Sequence, residues 1–351
     1  MAVYKIFPTK DATLYEQYPN MNTGLDQILE ASSYYSSGNR YASRYLIQFS
    51  TDEIQDVIDN KISGQPWSAH LKNYNAASSG LNVDTQLYFY AASGSWGMGT
   101  GYSSITPQVT NGTSWNWKDY SGSVLWENAG GDTYASPVYS QSFAYSNPLD
   151  IDVVVTTLVT DWSASTIPND GFLVRLTSSV EDSTNTNVQP IFKYFSIDTN
   201  TIYPPYLEFH WIDYSFNTGS STNTILNTPE AFVSIYNNVG TYYSESIPRF
   251  RLAAIPKYPD RQFITASYYT QNYYLPENVS LYAVKDSYTN EFVINFDSST
   301  TRISADATSS YFDVYMNGLE PERYYTVLIK TTIGGVTKVW DEDIMFKVSK
   351  G

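Results

Sequence analysis

The sequence predicts an all-β protein of two sandwich-type domains with one or two short helices, and three observations point there. Alternation of apolar and polar residues with period two recurs along most of the chain. The aromatic residues, 33 Tyr, 16 Phe and 8 Trp, are of the kind that suits pleated, half-buried surfaces. The length, 351 residues, is that of about two domains at ~150 residues each.

The expected strands run in order. Val3–Phe7, Gln27–Ala31, Ser43–Phe49, Gln86–Ala91, Gly171–Thr177, Phe192–Ile197 and Tyr206–Trp211 occupy the first part of the chain. Ala231–Tyr236, Arg249–Ala254, Val279–Val284, Glu291–Phe296, Tyr311–Tyr315, Tyr324–Thr331 and Ile344–Val348 occupy the rest. Turn residues such as Pro19-Asn20, Ser37-Gly38-Asn39, Asn169-Asp170-Gly171 and Gly334-Gly335 separate them.

Two segments read as helices. The first follows Ser50, whose hydroxyl can cap while Glu53 completes a capping box, and Ile54, Val57, Ile58 and Ile62 make one apolar stripe. The second spans about Val153–Trp162, with Val154, Leu158 and Trp162 on one face. The polar run SFNTGSSTNT after Trp211 lacks an apolar period and reads as a linker. The expected organisation is therefore a domain at 1–212, a linker at 213–228 and a second domain at 229–351.

An ordered series of features fills the first domain. DATLYEQYPNMNTGLDQILEAS, from Asp11, gives a strand, a turn ending at Gly24 and a second strand. SRYLIQF places Arg44 inside an apolar strand. TQLYFYAA, the glycine-rich Trp96-Gly97-Met98-Gly99-Thr100-Gly101, Thr113-Ser114-Trp115, DIDVVVTTLVTDW, NDGFLVRL and finally KYFSIDTNTIYPPYLEFHW follow. In this order the series resembles the DNRLRE family, whose fold is a jelly-roll β-sandwich related to carbohydrate-binding modules. The chain departs from the family's pattern at residues 51–84, where a helix and a long insertion follow the arginine strand. The likeness implies a jelly roll for the first domain. In the second, Leu319, Pro321 and Tyr325 of NGLEPERYYTVLIKT resemble the Leu-x-Pro and anchoring tyrosine of fibronectin type III and related immunoglobulin-like domains. That likeness implies a smaller immunoglobulin-like β-sandwich, with the tyrosine hydroxyl bonded back to upstream backbone.

The residues offer little for catalysis. Two histidines, His70 and His210, and no cysteine exclude finger-type zinc sites. A Ser-His-Asp triad has no Gly-x-Ser-x-Gly elbow to support it, and the glycines at 97, 99 and 101 precede no helix, so they form no phosphate loop. Paired carboxylates remain: Asp150 with Asp152, and Asp341, Glu342 and Asp343. The expectation is a non-enzyme with no catalytic residue, no metal and no cofactor. Arg44 reads as a strand arginine satisfied by a carboxylate or carbonyls, with an anionic-ligand role as the alternative. Trp115 and Trp162 read as core plugs. Trp96 and Trp117, beside glycines and polar residues, are the candidates for stacking on a ligand.

A net charge of −15 with 20 Lys plus Arg argues against nucleic acid and anionic membrane as partners. The N-terminal residues lack the basic-then-apolar order of a signal peptide. Together with the absence of cysteine and the DNRLRE likeness, which extends to phage structural proteins, this predicts a bacteriophage virion component made in the host cytoplasm. Neck, collar, tail, fibre-attachment and head-decoration positions are all open, and the expected partners are other virion proteins and copies of itself. The alternative is a carbohydrate-binding module or adhesin that stacks host surface glycans on exposed aromatics.

Overall fold

A computed structural model describes residues 2–81, 84–144, 148–221, 223–259 and 272–350. Residue 222 of the expected linker and 260–271 of the expected second domain lie outside them. The chain divides into two compact units, one of Lys5–Gly64 and Ser68–Glu208, the other of Met1–Tyr4, Gln65–Trp67 and Phe209–Gly351.

Strand dominates from the start. In order come β1 (Ala2–Ile6), β2 (Pro8–Tyr15), β3 (Ile28–Ser36), β4 (Asn39–Phe49), helix α1 (Thr51–Asp56), β5 (Trp67–Asn73), β6 (Thr85–Ala92), β7 (Trp117–Asp119) and β8 (Val124–Leu125). Then follow β9 (Thr133–Phe143), β10 (Ile151–Val154), α2 (Thr156–Ser163), β11 (Phe172–Leu176), α3 (Ser178–Glu181), β12 (Ile191–Phe195) and β13 (Tyr206–Trp211). Seven strands make one sheet in the order β12-β3-β4-β11-β6-β9, with β2 also paired to β4. A second sheet runs β1-β13-β5-β10. Buried Tyr45, Phe89, Phe172, Phe192 and Tyr194 of the seven-stranded sheet and Ala69, Leu71, Ile151 and Val153 of the other supply core side chains. Across that core Asn73 Nδ2 donates to Tyr45 Oη at 3.3 Å. This is an all-β sandwich, as the alternation predicts.

Both helices depart from their expected form for local reasons. Ser50 Oγ does cap α1, accepting from Glu53 N at 3.3 Å. After Asp56 the coil widens to a π-helix over Val57–Ile62. The five-residue step from Val57 to Ile62 suits that wider coil, so both are buried while Ile58 is only half-buried. The second helix begins at Thr156, three residues later than expected, because Ile151 and Val153 alternate inward as strand β10. Val154 is exposed as a result, and Leu158, Val159 and Trp162 form the buried helical face.

The second unit continues with β14 (Ala231–Ile235), β15 (Thr241–Tyr243), β16 (Arg249–Pro256), β17 (Ser280–Asp286), β18 (Phe292–Ile294), β19 (Ser304–Ala305), β20 (Ser310–Asp313), β21 (Tyr324–Ile333) and β22 (Val336–Ser349). A four-stranded sheet, β14-β16-β20-β19, and a five-stranded sheet, β15-β22-β21-β17-β18, share a core of Phe250, Tyr282, Phe312, Tyr325, Trp340 and Phe346. The rings of Tyr282 and Phe312 stack with centroids 4.3 Å apart. Tyr325 is buried and its hydroxyl donates to Glu320 O at 2.9 Å, the backward anchor expected from Leu319 and Pro321. Residues of the expected linker 213–228 are bonded within this unit: Asn217 N donates to Ala305 O at 3.0 Å and Leu226 N to Tyr274 O at 2.7 Å. No helix among the described residues is long and apolar enough to cross a membrane.

Candidate functional site

Arg44 projects from β4 toward the short helix α3. Its Nε and Nη2 meet Glu181 Oε1 and Oε2 at 3.2 and 2.8 Å, and Nη1 donates to Gly130 O at 3.1 Å. The guanidinium lies 4.9 Å from the ring centroid of Trp115. Arg175 of β11 also donates to Glu181 Oε2. Glu181 is buried, so its charge is balanced by two guanidinium groups in a medium that screens poorly. The planar fork of Arg44 is thus taken by a carboxylate and a carbonyl, the structural role anticipated for it.

Above this network lies the long stretch from 93 to 132. Ala12, Leu14, Leu46, Ala92 and Leu173 from the sheet and Trp96, Trp115 and Trp126 from the stretch form one buried cluster. Trp96 is 3% exposed, its Nε1 donates to Asp170 O at 2.8 Å, and the Lys10 ammonium sits 4.4 Å from its ring centroid. The expected stacking face on Trp96 is therefore absent: the Lys10 ammonium covers the ring and the indole N–H is turned inward to Asp170 O. Trp117 keeps partial exposure on β7, with Nε1 donating to Asn20 Oδ1 at 2.9 Å and Tyr120 edge-on at 5.0 Å. The structure brings Arg44 together with Trp115, the tryptophan expected in the core.

The residue that fixes this stretch is Asn22, which the sequence reading passed over. It is fully buried. Its Nδ2 donates to Met98 O at 2.7 Å and Thr113 O at 2.8 Å, and its Oδ1 accepts from Gly101 N at 2.8 Å and Gly24 N at 3.2 Å. A Cβ on Gly101 would come 2.2 Å from Asn22 O, which explains the glycine there. The signal was present as two asparagines in a Pro-Asn-Met-Asn turn, where side-chain amides commonly bond to backbone.

Beside Arg44 is an open depression of about 430 Å3, lined among others by Glu16, Tyr35, Arg40, Arg44, Trp115 and Glu181. Arg40 donates to Ser33 Oγ at 2.7 Å, to Val188 O at 3.1 Å and to Asn185 O at 2.8 Å. Its Nε is buried and has no hydrogen-bond partner among the described residues. Tyr35 at the rim is 41% exposed. Planar polar groups beside aromatic edges can bind a polyhydroxylated ligand.

Of the carboxylates considered for catalysis, Asp150, Asp152 and Asp341 have structural partners. Asp150 Oδ1 accepts from Asn75 N at 2.8 Å, and Asp341 pairs with Lys285 at 2.8 Å. Asp152 meets His70 Nδ1 at 2.9 Å and also pairs with Lys72. Burial pushes Asp152 upward, but the hydrogen bonds from His70 and Lys72 prevail and hold it at about 2. Ser68 Oγ lies 3.3 Å from His70 Nε2, so Ser68, His70 and Asp152 form a chain in the order of a hydrolase triad. Ser68 and His70 lie on one strand two residues apart, and the amide after the serine, Ala69 N, donates to Thr156 Oγ1 at 3.0 Å. That amide is spent on the protein and cannot stabilise an oxyanion there. Among the described residues no three His, Asp or Glu side chains gather as metal ligands.

Asp11 on β2 is 1% exposed, and Oδ2 accepts from Ile197 N at 2.8 Å. Its Oδ1 and Asp198 Oδ2 are buried without hydrogen-bond partners among the described residues. Burial, reinforced by the Asp198 charge against the opposing Ile197 hydrogen bond, pushes Asp11 up to about 8.

No family model matches the sequence, and no curated protein matches it. Among solved structures, the chain is similar to the adhesin domain of Epf from Streptococcus pyogenes over 100% of its own length and 99% of that chain, at 9% identity and a TM-score of 0.19. It is similar to the Parabacteroides merdae β-glucuronidase over 99% of its length and 35% of that chain, at 10% identity and a TM-score of 0.16. At these scores neither likeness carries an argument about this chain.

Proposed function

We propose that this chain is a non-enzymatic structural protein of a bacteriophage virion, acting through protein–protein contacts in a symmetric assembly. The observation that carries the contact role is the display of large apolar side chains by the second unit. Phe232 on β14 is 60% exposed and Tyr243 on β15 67%, and Phe232 lies directly across from exposed Ile255 in the β14–β16 ladder. Aromatic residues held on a rigid sheet gain contact area on binding with little loss of freedom, and exposed apolar pairs of this kind mark association surfaces. The virion setting rests on the acidity, the absence of cysteine and the DNRLRE likeness. Mass spectrometry of purified particles from the encoding strain tests it: the protein should be a stoichiometric component, and its absence from particles ends the reading.

A second reading, a glycan-binding module or adhesin, is favoured by the depression beside Arg44 rather than by Trp96. A glycan array with the parent protein and with Tyr35→Ala and Arg40→Ala decides it. Binding lost in both variants supports the reading, and no binding by the parent removes it.

A further inference from the structure

The β3–β12 ladder sets Glu30 directly across from Lys193. Alternation places Glu30, Ser32 and Tyr34 on the face of β3 opposite the buried Leu29 and Ala31, and brings Ile191 and Lys193 of β12 to that same face. Glu30 is 9% exposed there. Its Oε1 accepts from Ser32 Oγ at 2.7 Å and from Ser43 Oγ at 3.4 Å. Its Oε2 stands 3.6 Å from Lys193 Nζ, a charge contact longer than a hydrogen bond. Over this pair opens a depression of about 370 Å3, lined also by Tyr15, Tyr18, Tyr34, Met21 and Ile191. Tyr18 is exposed and Tyr34 half-buried. Burial first, then Tyr18 and Glu30, push the Tyr34 hydroxyl up to about 12, and burial followed by Glu30 and Asp26 raises that of Tyr15. These rings lie close to the carboxylates and stay neutral. The depression shares no lining residue with the one beside Arg44.

We infer that this depression is a binding site for a neutral sugar, one ring of a glycan seated on the tyrosines with two adjacent hydroxyls on Glu30 and Lys193. The polar pair selects the ligand. A hydroxyl both donates and accepts, so one can donate to Glu30 Oε2 while its neighbour accepts from Lys193 Nζ across the 3.6 Å gap. A wholly apolar ligand would cover both charges and satisfy neither. An anion meets the repulsion of Glu30 and Asp26, and a cation that of Lys193. The tyrosine rings offer the apolar faces that a sugar's C–H side needs. The volume lies within the range of small-ligand sites, about 300–1,000 Å3.

Saturation-transfer NMR on the full chain tests the site, with methyl glycosides of glucose, galactose, mannose and N-acetylglucosamine as neutral probes and glucuronate and choline as charged ones. At least one neutral glycoside should bind, in preference to both charged probes. Tyr18→Ala removes an exposed ring and Lys193→Met keeps the stem but not the charge. Each should weaken binding about tenfold or more with unaltered circular dichroism. No binding by any neutral glycoside overturns the inference, as does tighter binding of glucuronate or choline, or parental affinity in both variants. Binding that survives in both variants but is lost in Tyr35→Ala overturns this site and favours the depression beside Arg44. The virion reading stands or falls separately, on the composition of particles.

Discussion

Arg44 and Glu181 meet as a two-pronged pair, Nε to Oε1 at 3.2 Å and Nη2 to Oε2 at 2.8 Å, with the carboxylate buried. Because Glu181 is also held by Arg175, removing its charge leaves two guanidinium groups facing a neutral amide. Glu181→Gln should cost about 3 kcal/mol, the scale for breaking a buried pair, whereas Arg44→Met with Glu181→Met should recover part of it. Denaturant unfolding of the single and double variants checks this. A double-variant cost equal to the sum of the two single-variant costs would show that the pair is uncoupled.

Asn22 offers a sharper loss. Its side chain makes four hydrogen bonds to backbone inside the structure. Asn22→Ala orphans those groups and should cost about 2–4 kcal/mol. It should also release the stretch 93–132, so proteolytic nicking there should accelerate before global unfolding. An unchanged cleavage pattern would mean that the tryptophan cluster alone secures the stretch.

Asp11 makes stability depend on pH in a defined direction. Burial raises its folded-state pKa from the ordinary aspartate value of 3.8 to about 8. A carboxyl with a raised folded pKa is stabilising in its protonated form, so its contribution is whole below about pH 4 and disappears as pH rises through about 8. Across that window the melting temperature of the parent should fall relative to Asp11→Asn, which keeps an acceptor for Ile197 N. Parallel melting curves for the two proteins from pH 5 to 8 would count against this account.

Tyr325 and Gly171 test the two sandwiches separately. Tyr325→Phe removes the bond to Glu320 O and should cost about 1 kcal/mol. Gly171 has φ +88, and a Cβ there would stand 2.3 Å from Ile47 O. Gly171→Ala should therefore cost about 2 kcal/mol or more, because the strained backbone and the clash add. Thermal denaturation followed by far-ultraviolet dichroism measures both.

The fold class was legible because alternation is a local signal. Leu173 and Val174 on β11, or Val327 and Ile329 on β21, declare their strands within a few residues. β9 did not declare itself: Pro137 interrupts it and its exposed positions are Ser, Thr, Ala and Val138, so no clean apolar period marks it, and its strand state comes from pairing with β6 across the sequence. Trp96 and Trp117 show the same limit. Their glycine-rich and polar surroundings look alike in sequence, yet Lys10, Asp170 and Leu173 arrive from distant segments to bury one of them. Arg44 could be read as a satisfied strand arginine, but its partner Glu181 lies 137 residues away and bears no local mark of the pairing.

The cover that residues 74–79 place over β12 has a consequence for the geometry of growth. At its β12 end the seven-stranded sheet has backbone groups already spent on residues 74–79, so that end cannot take a further strand. Had the insertion at 51–84 left β12 bare, its outward amides and carbonyls would have stood open to a strand from another chain. The segment at residues 74–79 thus withdraws one end of the sheet from strand exchange.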